Sequence, residues 1–143
     1  MTVVNLEVGQ ALVAEVLKAS RARNMKPMAV AVLDNRGSVR ALACEDGAGT
    51  GHSNIAIGKA NAAISVNIGT RALSQSAVER PYYVAGLVAA VGQFIPLPGG
   101  VLVRDDSGAI IGAVGVTGDT ADNDEVVAIE GVRSSGLTAD AGE

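Results

Sequence analysis

Two strand-turn-strand patterns, separated by a long helical stretch, most constrain what this chain can fold into. Residues 28–33 and 38–44 are largely apolar runs joined by an Asp-Asn-Arg-Gly turn. Residues 101–104 and 110–117 are a second such pair, and their loop contains Asp-Asp-Ser-Gly. Tight turns join antiparallel strands, whereas parallel strands need long crossover connections. The two hairpins therefore predict an antiparallel sheet with helices packed on it.

The remaining sequence shows helical spacing of apolar residues. This spacing and its capping signals predict five helices, over residues 6–23, 54–68, 71–79, 81–91 and 121–133. Residues 94–97 are predicted to form a fifth strand, either at the edge of the sheet or irregular, because Pro96 cannot donate a ladder hydrogen bond. The chain is thus expected to be an α+β protein with a mostly antiparallel five-stranded sheet.

Length and composition indicate one domain with an unusual core. The 143 residues fit a single domain, predicted over residues 1–133, and the small, polar residues 134–143 are expected to be a flexible C-terminal tail. Apolar residues make up 48% of the chain but aromatic residues only 2%, so small aliphatic side chains must fill the core. Such a core can leave apolar surface that needs a partner, which favours a homo-oligomer.

Charge and the N-terminal sequence argue against several classes of protein. The net charge is −4 and there is no cluster of Lys and Arg, so nucleic-acid binding is not expected. No apolar stretch is long enough to span a membrane, and the first residues do not resemble a signal peptide, so a cytoplasmic location is expected. The single cysteine, Cys44, ends an apolar run and is predicted to be a small core residue, with a reactive thiol or a soft metal ligand as the alternatives.

One long segment resembles a known family. Residues 97–132, LPGGVLVRDDSGAIIGAVGVTGDTADNDEVVAIEGV, contain a Pro-Gly-Gly turn, a hairpin, a glycine-rich strand ending in Gly-Val-Thr-Gly, and an Asp-Glu pair on a helix. This segment resembles the C-terminal signature of the GlcG/HbpS-like haem-binding family. Upstream, AVAVLDNRGSVRAL fits the family's first hairpin, and AIGKANAA fits its central helix with Lys59 and Ala60 in place.

The resemblance implies a profilin-like domain that forms oligomers, but it leaves the ligand open. Some family members bind haem, and others are encoded in catabolic operons without assigned chemistry. The only histidine of this chain, His52, is the candidate axial ligand if haem binds through a nitrogen. The alternative for His52 is a solvated or capping residue. If haem binds through an oxygen, Tyr82, Tyr83 or Thr117 are the candidates.

Several other residues suggest a site for a carboxylate. Lys59 lies among apolar neighbours on the central helix, so its ammonium either reaches water or points into a pocket. Arg71 offers bidentate geometry, and the helix that follows Gly118 has free N–H groups at its start. Together with the Pro-Gly-Gly turn, these features give the predicted ligand-binding set of His52, Lys59, Arg71, Gly99, Gly100, Thr117 and Gly118.

Two features have both a structural and a functional interpretation. Gly112 and Gly115 lie inside a strand, where they mark either close packing of a helix or the floor of a ligand site. The acidic residues at the start of the last helix either compensate the helix dipole or act as an acid or base at a pocket rim. These acidic residues are Asp122, Asp124 and Glu125.

Three functions remain open from the sequence. The first is a small-ligand-binding protein that binds haem or another tetrapyrrole, although one Phe and two Tyr offer little stacking surface. The second is a lyase, isomerase or hydrolase that acts on a small carboxylated substrate at a subunit interface. Its candidate catalytic residues are Lys59, Glu125 and Asp46. The third is a non-catalytic assembly module.

Overall fold

Five helices and five strands make up the structure, a computed structural model that describes residues 3–143. Met1 and Thr2, the first residues of the predicted domain, lie outside the described residues. The elements follow in the order α1 (Leu6–Ala22), β1 (Ala29–Asp34), β2 (Val39–Cys44), α2 (His52–Val66), α3 (Thr70–Glu79), α4 (Pro81–Val91), β3 (Gly100–Arg104), β4 (Ile110–Thr117), α5 (Ala121–Ser134) and β5 (Thr138–Asp140).

The strands form one antiparallel sheet in the order β2-β1-β4-β3-β5. The two hairpins lie side by side, because β1 pairs with β4 from Ala29 opposite Thr117 to Asp34 opposite Gly112. This arrangement confirms the predicted α+β class and the five-stranded antiparallel sheet. It is also compatible with the profilin-like expectation.

Helices cover both faces of the sheet, so β1, β3 and β4 are almost entirely buried. On one face, α1 and α5 pack on a core of mostly small aliphatic side chains that includes Val30, Val32 and Val114. On the other face, α2 places Ala60 and Ala63 over the sheet. The low aromatic content therefore produces thin, closely packed layers rather than a loose core.

The fifth strand is not the one that the sequence predicts. Residues 94–97 form no strand; Phe94 is instead buried with Leu73 and Val84 beneath α3 and α4. The fifth strand, β5, lies in the predicted flexible tail and pairs with β3. Arg104 Nε donates to Asp140 Oδ2 at 3.0 Å and thereby holds β5 in place. The prediction of a frayed tail is therefore wrong at β5. The sequence gives no sign of this strand, because three residues are too few to show a periodic pattern.

Cys44 is exposed at the end of β2, so the prediction that it lies in the core is wrong. β2 is an edge strand, and only its inner side pairs with β1. Ala41 and Ala43 pack against the main core, whereas Leu42 and Cys44 lie on the opposite face of the sheet. The apolar run of β2 thus reflects a strand that is half covered, not a buried strand.

Candidate functional site

Most of the predicted ligand-binding residues lie at one end of the sheet, here called the loop end. β1 begins at this end, and Ala29 lies opposite both Thr117 of β4 and Cys44 of β2. The loops that follow β2 and β4 meet the segment before β1, because Lys26 N donates to Asp119 Oδ2 at 3.1 Å. The fold therefore gathers residues that are far apart in sequence.

Gly115 allows α2 to lie directly on β4. A Cβ atom at Gly115 would lie 1.9 Å from the carbonyl oxygen of Ala56 and 2.8 Å from the backbone nitrogen of Ala60. At Gly112, the second glycine of β4, a Cβ atom would lie 2.4 Å from the carbonyl oxygen of Leu33. Both glycines are thus explained by close packing, and neither forms the floor of a ligand site.

Lys59 and Asp124 form a buried ion pair at the loop end. Lys59 is 2% exposed and Asp124 is 1% exposed. The Lys59 ammonium donates to Asp124 Oδ2 at 3.1 Å and to the carbonyl oxygen of Val116 at 2.9 Å. Asp124 Oδ1 accepts from the backbone N–H of Asp119 at 2.9 Å. Lys59 therefore neither reaches water nor points into an open pocket; it joins α2, β4 and the start of α5.

Burial shifts the pKa values of both groups in this pair. Desolvation lowers the pKa of Lys59, and the charge of Asp124 opposes that shift. Desolvation raises the pKa of Asp124, and the charge and hydrogen bond of Lys59 oppose it. Each charge is therefore stabilised chiefly by the other, so removal of one leaves an unpaired charge in the core.

Arg71 and Glu125 form a second ion pair between α3 and α5. Arg71 Nε and Nη2 donate to the two carboxylate oxygens of Glu125 at 3.1 and 3.0 Å, and Nη2 also donates to Asp122 at 2.6 Å. These hydrogen bonds raise the pKa of Arg71 above its ordinary value. The protein's own carboxylates thus occupy the donors that would bind a ligand carboxylate, and the ligand-binding role of Arg71 stays a prediction.

The Pro-Gly-Gly turn and the start of α5 are also closely packed. Gly99 has a φ of +121°, and a Cβ there would lie 3.0 Å from Lys59 Nζ. Gly100 exchanges two hydrogen bonds with the Thr70 hydroxyl, at 2.8 and 3.1 Å. Gly118 has a φ of +146° and lies against the segment before β1. Thr117 is buried. The loop end therefore has a well-packed interior.

His52 and Asp46 lie apart from the buried pairs. His52 is half-buried at the start of α2, and its Nδ1 accepts from the backbone N–H of Gly49 at 2.9 Å. Asp46 is exposed on the loop after β2. Lys59 and Glu125 are each held in an ion pair, and among the described residues Asp46 makes no hydrogen bond or ion pair with either of them.

The geometry of His52 argues against iron ligation in this ring orientation. A histidine that ligates a metal through Nε2 carries its proton on Nδ1, which then donates to an acceptor. Here Nδ1 accepts a hydrogen bond, so a neutral His52 carries its proton on Nε2. The loop before it, residues 45–51, is rich in glycine and contains no large apolar side chain. His52 alone therefore does not make a fitting haem site.

A surface that the sequence interpretation overlooked lies on α3 and α4. The eleven residues of α4, PYYVAGLVAAV, include no charged side chain, yet only Val84 among them is buried. Tyr82 is 77% exposed, and Val78 at the end of α3 is 83% exposed. Beside them is an open cleft of about 420 Å³, lined by Arg71, Ser74, Gln75, Val78 and Glu79. We call the exposed residues of α4 together with Val78 the α4 face.

Two residues of the buried site also went unassigned in the sequence. The sequence presents Asp124 only together with Asp122 and Glu125, as an acid at the start of the last helix, and assigns no contact to Thr70. In the structure, α3 begins with Thr70 after Gly69, and the Thr70 hydroxyl bonds Gly100. No local pattern predicts either contact, because Lys59 and Asp124 are 65 positions apart.

Two kinds of feature are absent from the described residues. Within residues 3–143, no helix combines the length and the apolar character needed to cross a membrane. The same residues contain no group of three or more His, Cys, Asp or Glu side chains arranged to hold a metal ion.

Comparison with known proteins identifies the family. A family model described as "Haem degrading protein HbpS-like" matches residues 4–133, which is most of the chain. The chain belongs to the HbpS-like family. No curated protein matches it in sequence.

Solved structures of the HbpS-like fold resemble the chain over nearly its whole length. The ORFY protein of Klebsiella pneumoniae is 26% identical, with a TM-score of 0.83 over 95% of this chain and 92% of its own. A double mutant of HbpS from Streptomyces reticuli is 27% identical, with a TM-score of 0.80 over 94% and 88% of the two chains. A structure titled "PduOC:Heme Complex" is 22% identical, with a TM-score of 0.79 over 90% and 91%, and supports the fold.

Proposed function

We propose that this HbpS-like protein binds haem and that the α4 face contacts the porphyrin. Membership of a family described as haem-degrading supports haem as the ligand class. The haem site is proposed to lie on α4 because this helix has no charged residue, yet most of its residues are exposed to water. Helices that are apolar on all sides are normally buried, so the α4 face is expected to be covered by an apolar partner.

The outer side of α4 suits a flat apolar ligand. Val84, Leu87 and Val91 face inward and pack with Leu73 and Phe94. The opposite side exposes Tyr82 and, at helical spacing, the small residues Ala85, Gly86 and Ala89. Each square ångström of apolar surface removed from water contributes about 25 cal/mol, so a porphyrin that covers this side gains a substantial hydrophobic contribution.

The α4 face also supplies an oxygen donor, and a cation lies beside it. Tyrosine is an established type of haem ligand, and the Tyr82 phenol is exposed at the first turn of α4. The adjacent Arg80 is exposed and lies 4.5 Å from the centre of the Tyr83 ring. Its guanidinium is suited to a haem propionate. Bound haem would supply redox and oxygen chemistry at this site.

The test is a titration of the purified protein with haemin, followed by its Soret absorbance. The proposal expects a saturable Soret band that shifts in Tyr82→Phe, because the phenol is lost while the ring remains. Tyr83→Phe is the matched control and should bind like the wild type, because Tyr83 faces the interior. A wild-type spectrum no different from that of an unrelated acidic protein would remove haem as the ligand.

The same titration distinguishes the α4 face from the loop end. His52→Ala should retain the band if Tyr82 ligates the iron. Loss of the band in His52→Ala, with no change in Tyr82→Phe, would contradict the α4 location and assign the iron to His52. In that case the Gly49 N–H must first release Nδ1 of His52.

A further inference from the structure

We propose that Tyr83 is a positioning residue of the haem site: its ring holds the Arg80 guanidinium where it binds a haem propionate, so that the site selects porphyrins with free carboxylates. This role of Tyr83 rests on the proposed function, because it concerns the same ligand at the α4 face. It adds a residue that does not itself touch haem, and it names the part of the ligand that the site recognises.

Arg80 is a cation that the carboxylates of the protein leave free. It is exposed, and among the residues that the structure describes it forms no ion pair, not even with the preceding Glu79. In the described chain, the guanidinium hydrogen bonds belong to other arginines, namely Arg21, Arg23, Arg40, Arg71 and Arg104. The donors of Arg80 are therefore available to an anionic ligand.

The backbone of Arg80 is fixed at the corner between α3 and α4. Its N–H donates to the Ser76 carbonyl oxygen at 2.7 Å, where α3 ends. Its own carbonyl oxygen accepts from the N–H groups of Tyr83 and Val84, at 3.0 and 3.4 Å, where α4 begins. The position of the Arg80 backbone is thus set by both helices, and only its long side chain needs a further contact to be held in one direction.

The ring of Tyr83 supplies this further contact. The guanidinium carbon of Arg80 lies 4.5 Å from the centre of the Tyr83 ring, which is within the range of a cation–π interaction. The ring is itself anchored, because Tyr83 is half-buried and packs against the cluster that includes Leu73 and Phe94. A ring fixed in the interior therefore orients a charged side chain at the surface.

Stacking on Tyr83 leaves the guanidinium of Arg80 able to bind a carboxylate. A guanidinium stacks on an aromatic ring through its planar face, whereas its N–H groups point outward along its edge. A carboxylate binds that edge with two parallel hydrogen bonds. Both contacts can therefore exist at the same time. Because a free arginine loses side-chain entropy when it binds, a guanidinium that is already held by the ring binds more tightly.

The place of Arg80 on the α4 face also sets the orientation of the porphyrin. Arg80 is two residues from Tyr82, the proposed iron ligand, and two residues span at most about 7 Å. The iron lies at the centre of the porphyrin and the propionates at its edge, so the two side chains suit both parts. The rest of α4 and the following Gly92 and Gln93 carry no charge. The propionate edge is therefore expected at the start of α4 and the apolar edge towards its end.

Soret titrations with haemin and with haemin dimethyl ester test the selection for free carboxylates. Esterification removes both carboxylates and leaves the iron and the ring. The wild type should bind haemin about tenfold more tightly than the ester, because only haemin forms the charged hydrogen bonds. Arg80→Met should bind both forms equally. Arg133→Met, which removes an exposed arginine from the last turn of α5, is the matched control and should keep the tenfold preference.

The same two ligands test the positioning role of Tyr83. Tyr83→Leu should bind haemin about fourfold more weakly and the ester with unchanged affinity, whereas Tyr83→Phe should match the wild type, because the ring remains. Arg80→Met/Tyr83→Leu should bind haemin no more weakly than Arg80→Met, because the ring acts only through Arg80. Equal losses for haemin and ester in Tyr83→Leu, or additive losses in the double variant, would overturn the positioning role.

A spectroscopic measurement keeps the test decisive if Tyr83→Leu fails to fold. The chain has two tyrosines and no tryptophan, so Tyr83 is the only tyrosine left in Tyr82→Phe. Addition of Arg80→Met to that variant should change the near-ultraviolet circular dichroism of Tyr83, because the stacked cation is lost. An unchanged spectrum would contradict the contact on which the positioning role depends.

The two ligands also separate the role of Tyr83 from the proposed function. If the wild type binds haemin and the ester equally and the Soret band still shifts in Tyr82→Phe, haem binds at the α4 face but the role of Arg80 and Tyr83 is wrong. If the wild type binds neither form, the proposed function is wrong and the role of Tyr83 is wrong with it.

Discussion

Replacement of Lys59 by methionine tests the central electrostatic feature of the fold. Methionine retains most of the volume of lysine but removes the ammonium that contacts Asp124 at 3.1 Å and the Val116 carbonyl at 2.9 Å. Asp124, which is 1% exposed, would keep only the backbone N–H of Asp119 as a partner. Breaking a buried pair on one side costs about 3–5 kcal/mol, a large share of the roughly 5–15 kcal/mol that stabilises a domain.

The loss of stability in Lys59→Met should depend on pH in a defined direction. Burial already raises the pKa of Asp124, and removal of Lys59 raises it further. A carboxyl group whose folded pKa lies above its unfolded value loses its stabilising contribution as the pH rises through the folded pKa. The difference between variant and wild type should therefore be largest near neutral pH and should shrink on acidification, as Asp124 becomes protonated.

Urea unfolding followed by circular dichroism at pH 7.5 and pH 4.5 measures both effects. Lys18→Met is the matched control, because Lys18 is exposed on α1 and its loss should change stability by less than about 0.5 kcal/mol. Lys59→Met/Asp124→Asn should be more stable than Lys59→Met alone at pH 7.5, because it buries no unpaired charge. A loss below about 1 kcal/mol, or one that is the same at both pH values, would refute this account of the pair.

Two further predictions concern packing. Gly115→Ala should destabilise the protein by about 3 kcal/mol, because its Cβ would lie 1.9 Å from the Ala56 carbonyl oxygen, whereas Gly51→Ala has no atom within 4 Å and should be nearly neutral. Similar thermal midpoints for the two variants would contradict the close packing of α2. Deletion of residues 138–143 removes the β5 hydrogen bonds and should cost roughly 2–4 kcal/mol; an unchanged urea midpoint would instead indicate a dispensable tail.

Local patterns predicted most of the fold. The two hairpins and the five helices each carry their own turn, cap or periodic signal, and the structure contains all of them. The errors occur where tertiary contacts decide the conformation. Residues 94–97 appear strand-like in sequence but bury Phe94 beneath α3 and α4. The short β5 has no signal of its own and depends on contacts with β3 and Arg104.

The candidate site was harder to predict because its residues bind one another. Lys59 and Glu125 are charged residues that are buried, and Arg71 is held in a bidentate pair, while their proposed roles in binding or catalysis stay predictions. Their partners depend on which helices meet across the sheet, and that information is not local. The exposure of α4 was likewise hidden, because an apolar helix in sequence is normally taken to be a core helix.

The short strand β5 has a consequence for the edge of the sheet farthest from β2. An uncovered β3 would present a row of unpaired N–H and C=O groups, which is a template for pairing with another chain. β5 covers this edge with three residues of the same chain, and Arg104 engages Asp140 there. The C-terminal segment therefore protects the protein against edge-to-edge aggregation, in addition to its contribution to stability.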